Sequence, residues 1–197
     1  MLVQENGCKS MNKDPVDDDK QLLKHIADGD RQALADLYSR FQRPLFSYLL
    51  QLTPDYGLAE ELLQDTFIAI WKSAQSFEGR SSVPTWIFSI ARRQAHNTLR
   101  QRKLPVANET DLEGLVSTDP EPEDITLAFV ARDELIATFN QLAQVYREVL
   151  VLTFIQEFSY QETANILGVP VGTVKSRLSN ARRLLRTILD AREKTKK

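Results

Sequence analysis

The sequence is poor in the residues that build disulfides, metal clusters and membrane spans. It has a single cysteine, Cys8, which excludes an internal disulfide and a cysteine-rich zinc site. No apolar run approaches the roughly 20 residues that cross a bilayer. No charged segment followed by an apolar one opens the chain, as it would in a secretory signal. We therefore expect a cytoplasmic protein without direct membrane insertion.

Signatures of catalysis and of cofactor binding are also missing. The sequence has no phosphate-binding loop, no metal-ligand spacing, and no nucleophile and base in a recognisable motif. The two histidines, His25 and His96, stand alone. We therefore expect no metal, no cofactor and no catalytic residue, and an enzyme is the least favoured class.

Charge is what the sequence has in blocks. Residues 84–103 hold five basic and no acidic side chains, and residues 104–127 hold seven acidic side chains and no Lys or Arg. Residues 171–197 hold nine basic and two acidic side chains, although the whole 197-residue chain has a net charge of only −2. Both basic blocks fall on predicted helices, which favours polyanion binding over chance clustering on solvated faces.

Apolar residues recur at helical spacing through most of the chain, and no segment shows strand alternation. We expect an all-α fold of two small helical domains joined by a flexible acidic linker. The expected segments are a disordered tail 1–16, a first domain 17–103, the linker 104–127, a helix-turn-helix domain 128–192 and a basic tail 193–197.

Local signals set several expected boundaries in the first domain. Asp28-Gly29-Asp30 is predicted to end the first helix and to cap the second, and Asp55 to cap the third. Pro44 is expected to kink or interrupt the second helix, because proline lacks a backbone N–H. Pro84 suits the first turn of the fourth helix.

Residues 159–190 have the layout of a helix-turn-helix. Ser159 and Glu162 form a capping box at the start of a short helix, and Gly168 ends it. In the helix that follows, Val174 and Leu178 belong to an inward apolar stripe, which leaves a polar and basic face for a major groove. The expected DNA-contacting residues are Thr173, Lys175, Ser176, Arg177, Ser179, Asn180, Arg182 and Arg183. The alternative is a plain amphipathic core helix with a solvated basic face.

The sequence of this segment closely resembles the C-terminal domain of bacterial sigma factors. The resemblance lies in Tyr160-Gln161-Glu162-Thr163-Ala164, Leu167–Leu178 and Ala181-Arg182. The closest likeness is to the extracytoplasmic-function (ECF) group of the sigma-70 family. In that family this domain reads the −35 promoter element. Many response regulators share a similar motif, so this segment alone leaves the family open.

The third predicted helix, from Leu58 to Trp71, decides between a sigma factor and a response regulator. Its outward side combines acids and an amide with the apolar Ile68, which suits helix-on-helix docking but equally an ordinary surface helix. Here the sequence resembles the sigma segment that binds the β′ clamp helices of RNA polymerase. The resemblance implies a polymerase-binding set of Glu61, Gln64, Asp65, Phe67 and Ile68.

The fourth helix carries the other basic face, preceded by a polar loop, residues 76–83. From the residues alone, this loop is more simply a helix connection than a pocket for an unstacked base. In ECF sigma factors the matching loop and helix recognise and open the −10 element. The resemblance implies −10 contacts by Phe77, Arg80, Ser81, Ser82, Arg92, Arg93, Asn97 and Arg100.

The resemblance thus implies a bacterial transcription initiation factor that is nucleoid-associated when active. It would bind core RNA polymerase through the β′ clamp helices and the β flap, direct it to promoters, and nucleate melting. It also implies an anti-sigma partner, often membrane-anchored. The alternative is a helix-turn-helix regulator that binds DNA without polymerase. The acidic linker is either a mimic of RNA phosphates in the polymerase cleft or a solvated spacer.

Overall fold

The computed structural model describes residues 15–53, 55–102, 139 and 141–195. These residues form seven α-helices and no strand, which confirms the all-α class. The helices are α1 (Pro15–Ala27), α2 (Arg31–Leu52), α3 (Tyr56–Ser73), α4 (Val83–Gln101), α5 (Gln144–Leu150), α6 (Tyr160–Leu167) and α7 (Val171–Thr195). A 3-10 turn, Ala74–Ser76, follows α3, and a π turn, Val151–Ile155, continues α5.

Side-chain oxygens cap the helix starts where the sequence predicts them. The Asp30 carboxylate accepts hydrogen bonds from the backbone N–H of Gln32 at 2.7 Å and of Ala33 at 3.2 Å. Asp55 accepts from the N–H of Leu58 at 3.1 Å. Each cap satisfies donors that the first helical turn leaves without an intrahelical partner. These caps fix where α2 and α3 begin and hence which faces they turn inward.

Pro44 lies inside α2 and does not interrupt it, so that part of the expectation is wrong. Proline removes one backbone donor, but the apolar stripe of α2 continues on both sides of it. Phe41, Leu45 and Leu49 are all buried. Burial of this stripe outweighs the loss of a single helical hydrogen bond, because most helical stability in proteins comes from tertiary packing.

The two halves of the chain share one apolar core. Within the described residues, the buried side chains of α1–α4 are continuous with those of α5–α7. The ring of Phe88 in α4 lies 5.3 Å from that of Tyr48 in α2 and 5.0 Å from that of Phe158, which follows the π turn. The N-terminal half, α1–α4, therefore packs directly on the C-terminal half, α5–α7.

Several expected segments lie outside the described residues. They are tail residues 1–14, the acidic linker 104–127 and the last two residues, 196 and 197. The tail was expected to extend to residue 16, whereas α1 already begins at Pro15. The expected domain boundaries remain predictions.

Candidate nucleic-acid and polymerase interfaces

The helix-turn-helix forms as the sequence predicts. The Ser159 hydroxyl accepts from the N–H of Glu162 at 3.2 Å, and the Glu162 carboxylate accepts from the N–H of Ser159 at 3.1 Å. Gly168 ends α6 with φ +68, a left-handed conformation that favours glycine. The chain then turns directly into α7 at Val171.

Helix α7 presents the expected inward stripe, since Val174, Leu178 and Ala181 are all buried. Of the expected DNA-contacting residues, Lys175 and Arg183 are exposed. Thr173, Ser176, Ser179 and Arg182 are half-buried. The Arg182 guanidinium lies 5.4 Å from the centre of the Phe154 ring, in cation–π contact.

Two residues expected on the exposed face of α7 are instead buried. Arg177 is 7% exposed and Asn180 is 9% exposed. Arg177 lies three residues after Val174 and four before Ala181, so helical geometry places it at the margin of the apolar stripe. Asn180 also accepts a hydrogen bond from Arg183 at 3.3 Å. The expectation of an open face is therefore wrong for these two positions.

Four of the five residues of α3 that are expected to bind polymerase lie on its exposed or half-buried side. Glu61 and Gln64 are exposed, Asp65 is half-buried, and Ile68 is 50% exposed. Both oxygens of the Glu61 carboxylate accept from the guanidinium of Arg102, at 2.6 and 2.9 Å. The side of α3 thus combines acids, an amide and one large apolar side chain, as a helix-on-helix contact requires.

Phe67 is the exception, because it belongs to the core. It is only 6% exposed, and its ring lies 4.8 Å from that of Tyr38 in α2. Phe67 comes four residues after Leu63 and three before Ile70, which places it on the inward arc of α3. A direct contact of Phe67 with polymerase stays a prediction, and in this structure the side chain is part of the core.

An aromatic groove beside Gln64 was missed at the sequence level. It has a volume of about 300 Å³ and lies between α2 and α3. Tyr56 is 61% exposed in it, and its ring lies 4.9 Å from that of Phe46. The spacing of Tyr38 and Phe46 in α2 is also that of a core stripe, so periodicity did not single them out. Tyr56 could have indicated the groove from the sequence, because it is an aromatic residue outside the inward stripe of α3.

The predicted −10 loop is held by local contacts. The Phe77 ring lies 5.2 Å from that of Trp86, and Arg80 forms an ion pair with Glu78. The hydroxyl of Ser82 accepts from the N–H of Thr85 at 3.4 Å and so caps α4. Ser81 is half-buried.

The basic face of α4 is partly exposed and partly covered by the C-terminal half. Arg93, Asn97 and Arg100 are exposed as expected. The Arg92 side chain is only 15% exposed, and its Nε donates to the carboxylate of Glu148 at 2.9 Å. Residues 84–103 contain no acidic residue, but in the folded chain α5 places the Glu148 carboxylate against them.

A cleft of about 330 Å³ separates the rest of this face from the helix-turn-helix. Helix α4 contributes polar and basic side chains to it, and α6 and its turn contribute the opposite wall. The lining residues are Ser89, Arg92, Arg93, His96, Asn97, Asn165, Ile166 and Gly168. The structure thus brings the predicted −10 face against the first helix of the predicted −35 reader.

Two carboxylates bridge the halves. Glu148, 3% exposed, accepts from the hydroxyl of Tyr48 at 2.7 Å in addition to Arg92. Burial, and then the Glu148 charge and hydrogen bond, raise the pKa of Tyr48 well above its usual value. Glu162 accepts from the hydroxyls of Ser82 at 2.9 Å and Thr85 at 3.2 Å.

The pKa of Glu162 is lowered although burial acts to raise it. Hydrogen bonds from Ser159, Ser82 and Thr85 favour the ionised carboxylate and outweigh the burial. The ionised form of Glu162 is therefore favoured by Ser159 at the start of α6 and by Ser82 and Thr85 in the other half of the chain.

Within the described part of the chain, no cluster of His, Cys, Asp and Glu side chains is suited to hold a metal ion. In the same residues, no helix is long and apolar enough to span a membrane.

Comparison with known proteins finds two family matches in one chain. Residues 37–104 match Sigma-70 region 2, and residues 132–185 match Sigma-70, region 4. The ECF RNA polymerase sigma factor SigW of Bacillus subtilis is 27% identical over 176 residues, covering 85% of this chain and 94% of SigW. The ECF RNA polymerase sigma-E factor of Salmonella typhimurium is 30% identical over 173 residues, covering 83% of this chain and 90% of that protein.

A solved structure agrees with these relatives. The sigma factor RpoE of Bartonella quintana, in complex with the anti-sigma factor NepR, is similar with a TM-score of 0.58 and 27% identity. The likeness covers 79% of this chain and 97% of the RpoE chain.

Proposed function

The chain belongs to the ECF group of RNA polymerase sigma factors, and from this membership we propose how its two halves share transcription initiation. The protein binds core RNA polymerase, directs it to specific promoters through the −35 and −10 elements, and nucleates promoter melting. The observation that carries this function is the occurrence of both sigma-70 regions, in order, in one chain. A regulator with only a helix-turn-helix would not account for region 2.

We propose that the outward side of α3 docks on the β′ clamp helices. Gln64 and Ile68 form its exposed centre, with Glu61 and Asp65 beside them. Phe67 supports this surface from within by packing on Tyr38. The groove that Tyr56 borders continues the surface towards α2 and offers aromatic area, which is enriched at interfaces.

We propose that α4 and α7 bind DNA. The exposed donors Arg93, Asn97 and Arg100 suit the −10 element, whose strands must separate. Lys175 and Arg183, both exposed on α7, suit the −35 element. Promoter specificity, rather than catalysis, is the contribution of this chain.

We propose an anti-sigma factor as a second partner, and a cytoplasmic site of action on the nucleoid. The support is the similar RpoE chain, which was solved with the anti-sigma factor NepR. Such a partner has to cover the polymerase-binding or DNA-binding faces in order to act.

Run-off transcription with purified core polymerase tests the function. Promoters are first selected from random DNA with the reconstituted holoenzyme, and transcripts are then mapped. We expect defined start sites that depend on this chain, and poor binding of the free chain to the same DNA, because a fixed spacing of two tethered sites multiplies their affinities. Tight, specific binding without polymerase together with no start-site selection would instead support the regulator.

A further inference from the structure

An ion pair joins the outward side of α3 to the end of α4. The guanidinium of Arg102 donates to both carboxylate oxygens of Glu61, at 2.9 Å to Oε1 and 2.6 Å to Oε2. Both bonds come from one nitrogen, Nη2, so the guanidinium points at the middle of the carboxylate. The contact therefore fixes the direction of a side chain that would otherwise turn between several rotamers.

Arg102 reaches Glu61 from a fixed place at the end of α4. Its backbone N–H donates to the carbonyl of Thr98 at 2.9 Å and closes the last turn of the helix. Leu99, in the same turn, is 3% exposed and belongs to the core. The cation is therefore carried by a backbone that the core immobilises.

The ion pair contributes little to folding. The Glu61 side chain is 51% exposed and the Arg102 side chain is 44% exposed. An ion pair so open to water gains little net free energy, because water screens the attraction and both long side chains lose rotamer freedom. Its consequence lies in the surface that it shapes.

The position of Glu61 on α3 makes a nearby cation useful. Glu60 precedes it directly, and Asp65 lies four residues later, where like charges on a helix repel each other. The one basic residue of α3 itself, Lys72, is in the last turn of the helix. Arg102 therefore supplies from α4 the positive charge that α3 lacks beside Glu61.

We propose that Arg102 is a positioning residue for the docking of this chain on polymerase. It holds the Glu61 carboxylate on the same side of α3 as Gln64 before polymerase arrives, so that docking does not have to immobilise it. A carboxylate has about four lone-pair sites, and the two that Arg102 occupies leave one on each oxygen for a donor of polymerase. The inference rests on the proposed function, which assigns this side of α3 to the β′ clamp helices.

The test is isothermal titration calorimetry of full-length variants with an isolated β′ clamp-helix fragment. Arg102→Gln removes the cation and keeps part of the aliphatic stem. We expect its Kd to be about fourfold higher than that of wild type, the cost of immobilising one long side chain at an interface. Arg31→Gln is the matched control, since it makes the same change of charge at an exposed residue at the start of α2, and it should bind as wild type does. Unchanged or tighter binding by Arg102→Gln would overturn the proposal.

A double-mutant cycle shows whether Arg102 acts through Glu61. In a Glu61→Ala background, Arg102→Gln should leave the Kd unchanged, because the side chain that it positions is gone. An effect that persists in full in this background would overturn the proposal. Arg102→Lys should bind within about twofold of wild type, because a single nitrogen makes both bonds to Glu61 and lysine supplies one with the same charge. A loss as large as that of Arg102→Gln would overturn it as well.

Urea titrations guard against loss of folding. The variants should unfold at the same urea concentration as wild type, because the ion pair is exposed. Should Arg102→Gln be unstable, Arg102→Met takes its place in the cycle, since it removes the same charge and keeps an unbranched stem. Ile68→Ala separately tests the docking surface. Weaker binding by Ile68→Ala alone would refute the positioning role, whereas wild-type binding by both variants would refute the docking surface itself.

Discussion

Ile68 offers a direct test of the polymerase-docking surface on α3. Burying a whole isoleucine side chain is worth about 1.5–3 kcal/mol. Ile68 is 50% exposed, so docking is expected to bury the remaining half. Truncation in Ile68→Ala should then cost about 1 kcal/mol of binding, which is roughly a fivefold rise in Kd. The free energy of unfolding should change by less than about 0.5 kcal/mol, as for most surface positions.

The assay is fluorescence anisotropy of the chain, labelled at its single cysteine, Cys8, with an isolated β′ clamp-helix fragment. Ile155→Ala is the matched control, because Ile155 is 60% exposed and belongs to the C-terminal half. The control should bind the fragment as wild type does. Equal affinities for the two variants would refute the assignment of Ile68 to the docking surface.

Three further predictions concern the turn, the basic face and the response to pH. Gly168→Ala should lower the free energy of unfolding by about 1 kcal/mol in urea titrations, because an L-residue is strained at φ +68 although no atom obstructs its Cβ. Gly172→Ala, equally unobstructed but helical, should raise it by about 0.5 kcal/mol, and the same sign for both would contradict this. The double variant Arg93→Gln and Arg100→Gln should reduce the slope of log affinity against log salt for holoenzyme on promoter DNA by about 2, and an unchanged slope would place these residues away from phosphates. Finally, the lowered pKa of Glu162 means that its carboxylate stabilises the folded chain above its unfolded pKa of about 4.3, and that this contribution is lost as pH falls through the folded pKa. Unfolding titrations should therefore show a smaller loss of stability below that pH in Glu162→Gln than in wild type, and identical pH profiles would argue against it.

Local features were predictable because their causes are local. The caps at Asp30 and Asp55, the capping box at Ser159 and the left-handed Gly168 each depend on a few neighbouring residues. Helical periodicity likewise placed the inward stripe of α7 correctly. Residues at the margin of a stripe, such as Arg177, were misplaced because periodicity gives the direction of a buried arc but not its width.

Contacts between the halves were not predictable from patterns in the sequence. Arg92 and Glu148 are 56 residues apart, and the two residues lie on either side of the predicted linker. Charge counted in a window of sequence therefore described α4 as free of acids, although a carboxylate meets it in space. The continuity of α2 through Pro44 was missed for the same reason, since it depends on tertiary burial rather than on the local rule.

The position of Glu162 makes the contact between the halves easy to reverse. When the halves part, Ser82 still accepts from the N–H of Thr85, and Glu162 still accepts from Ser159. Neither α4 nor α6 therefore loses the cap on its first turn. The two surfaces can come apart and meet again as intact folded units, so a change of partner demands no refolding of either one.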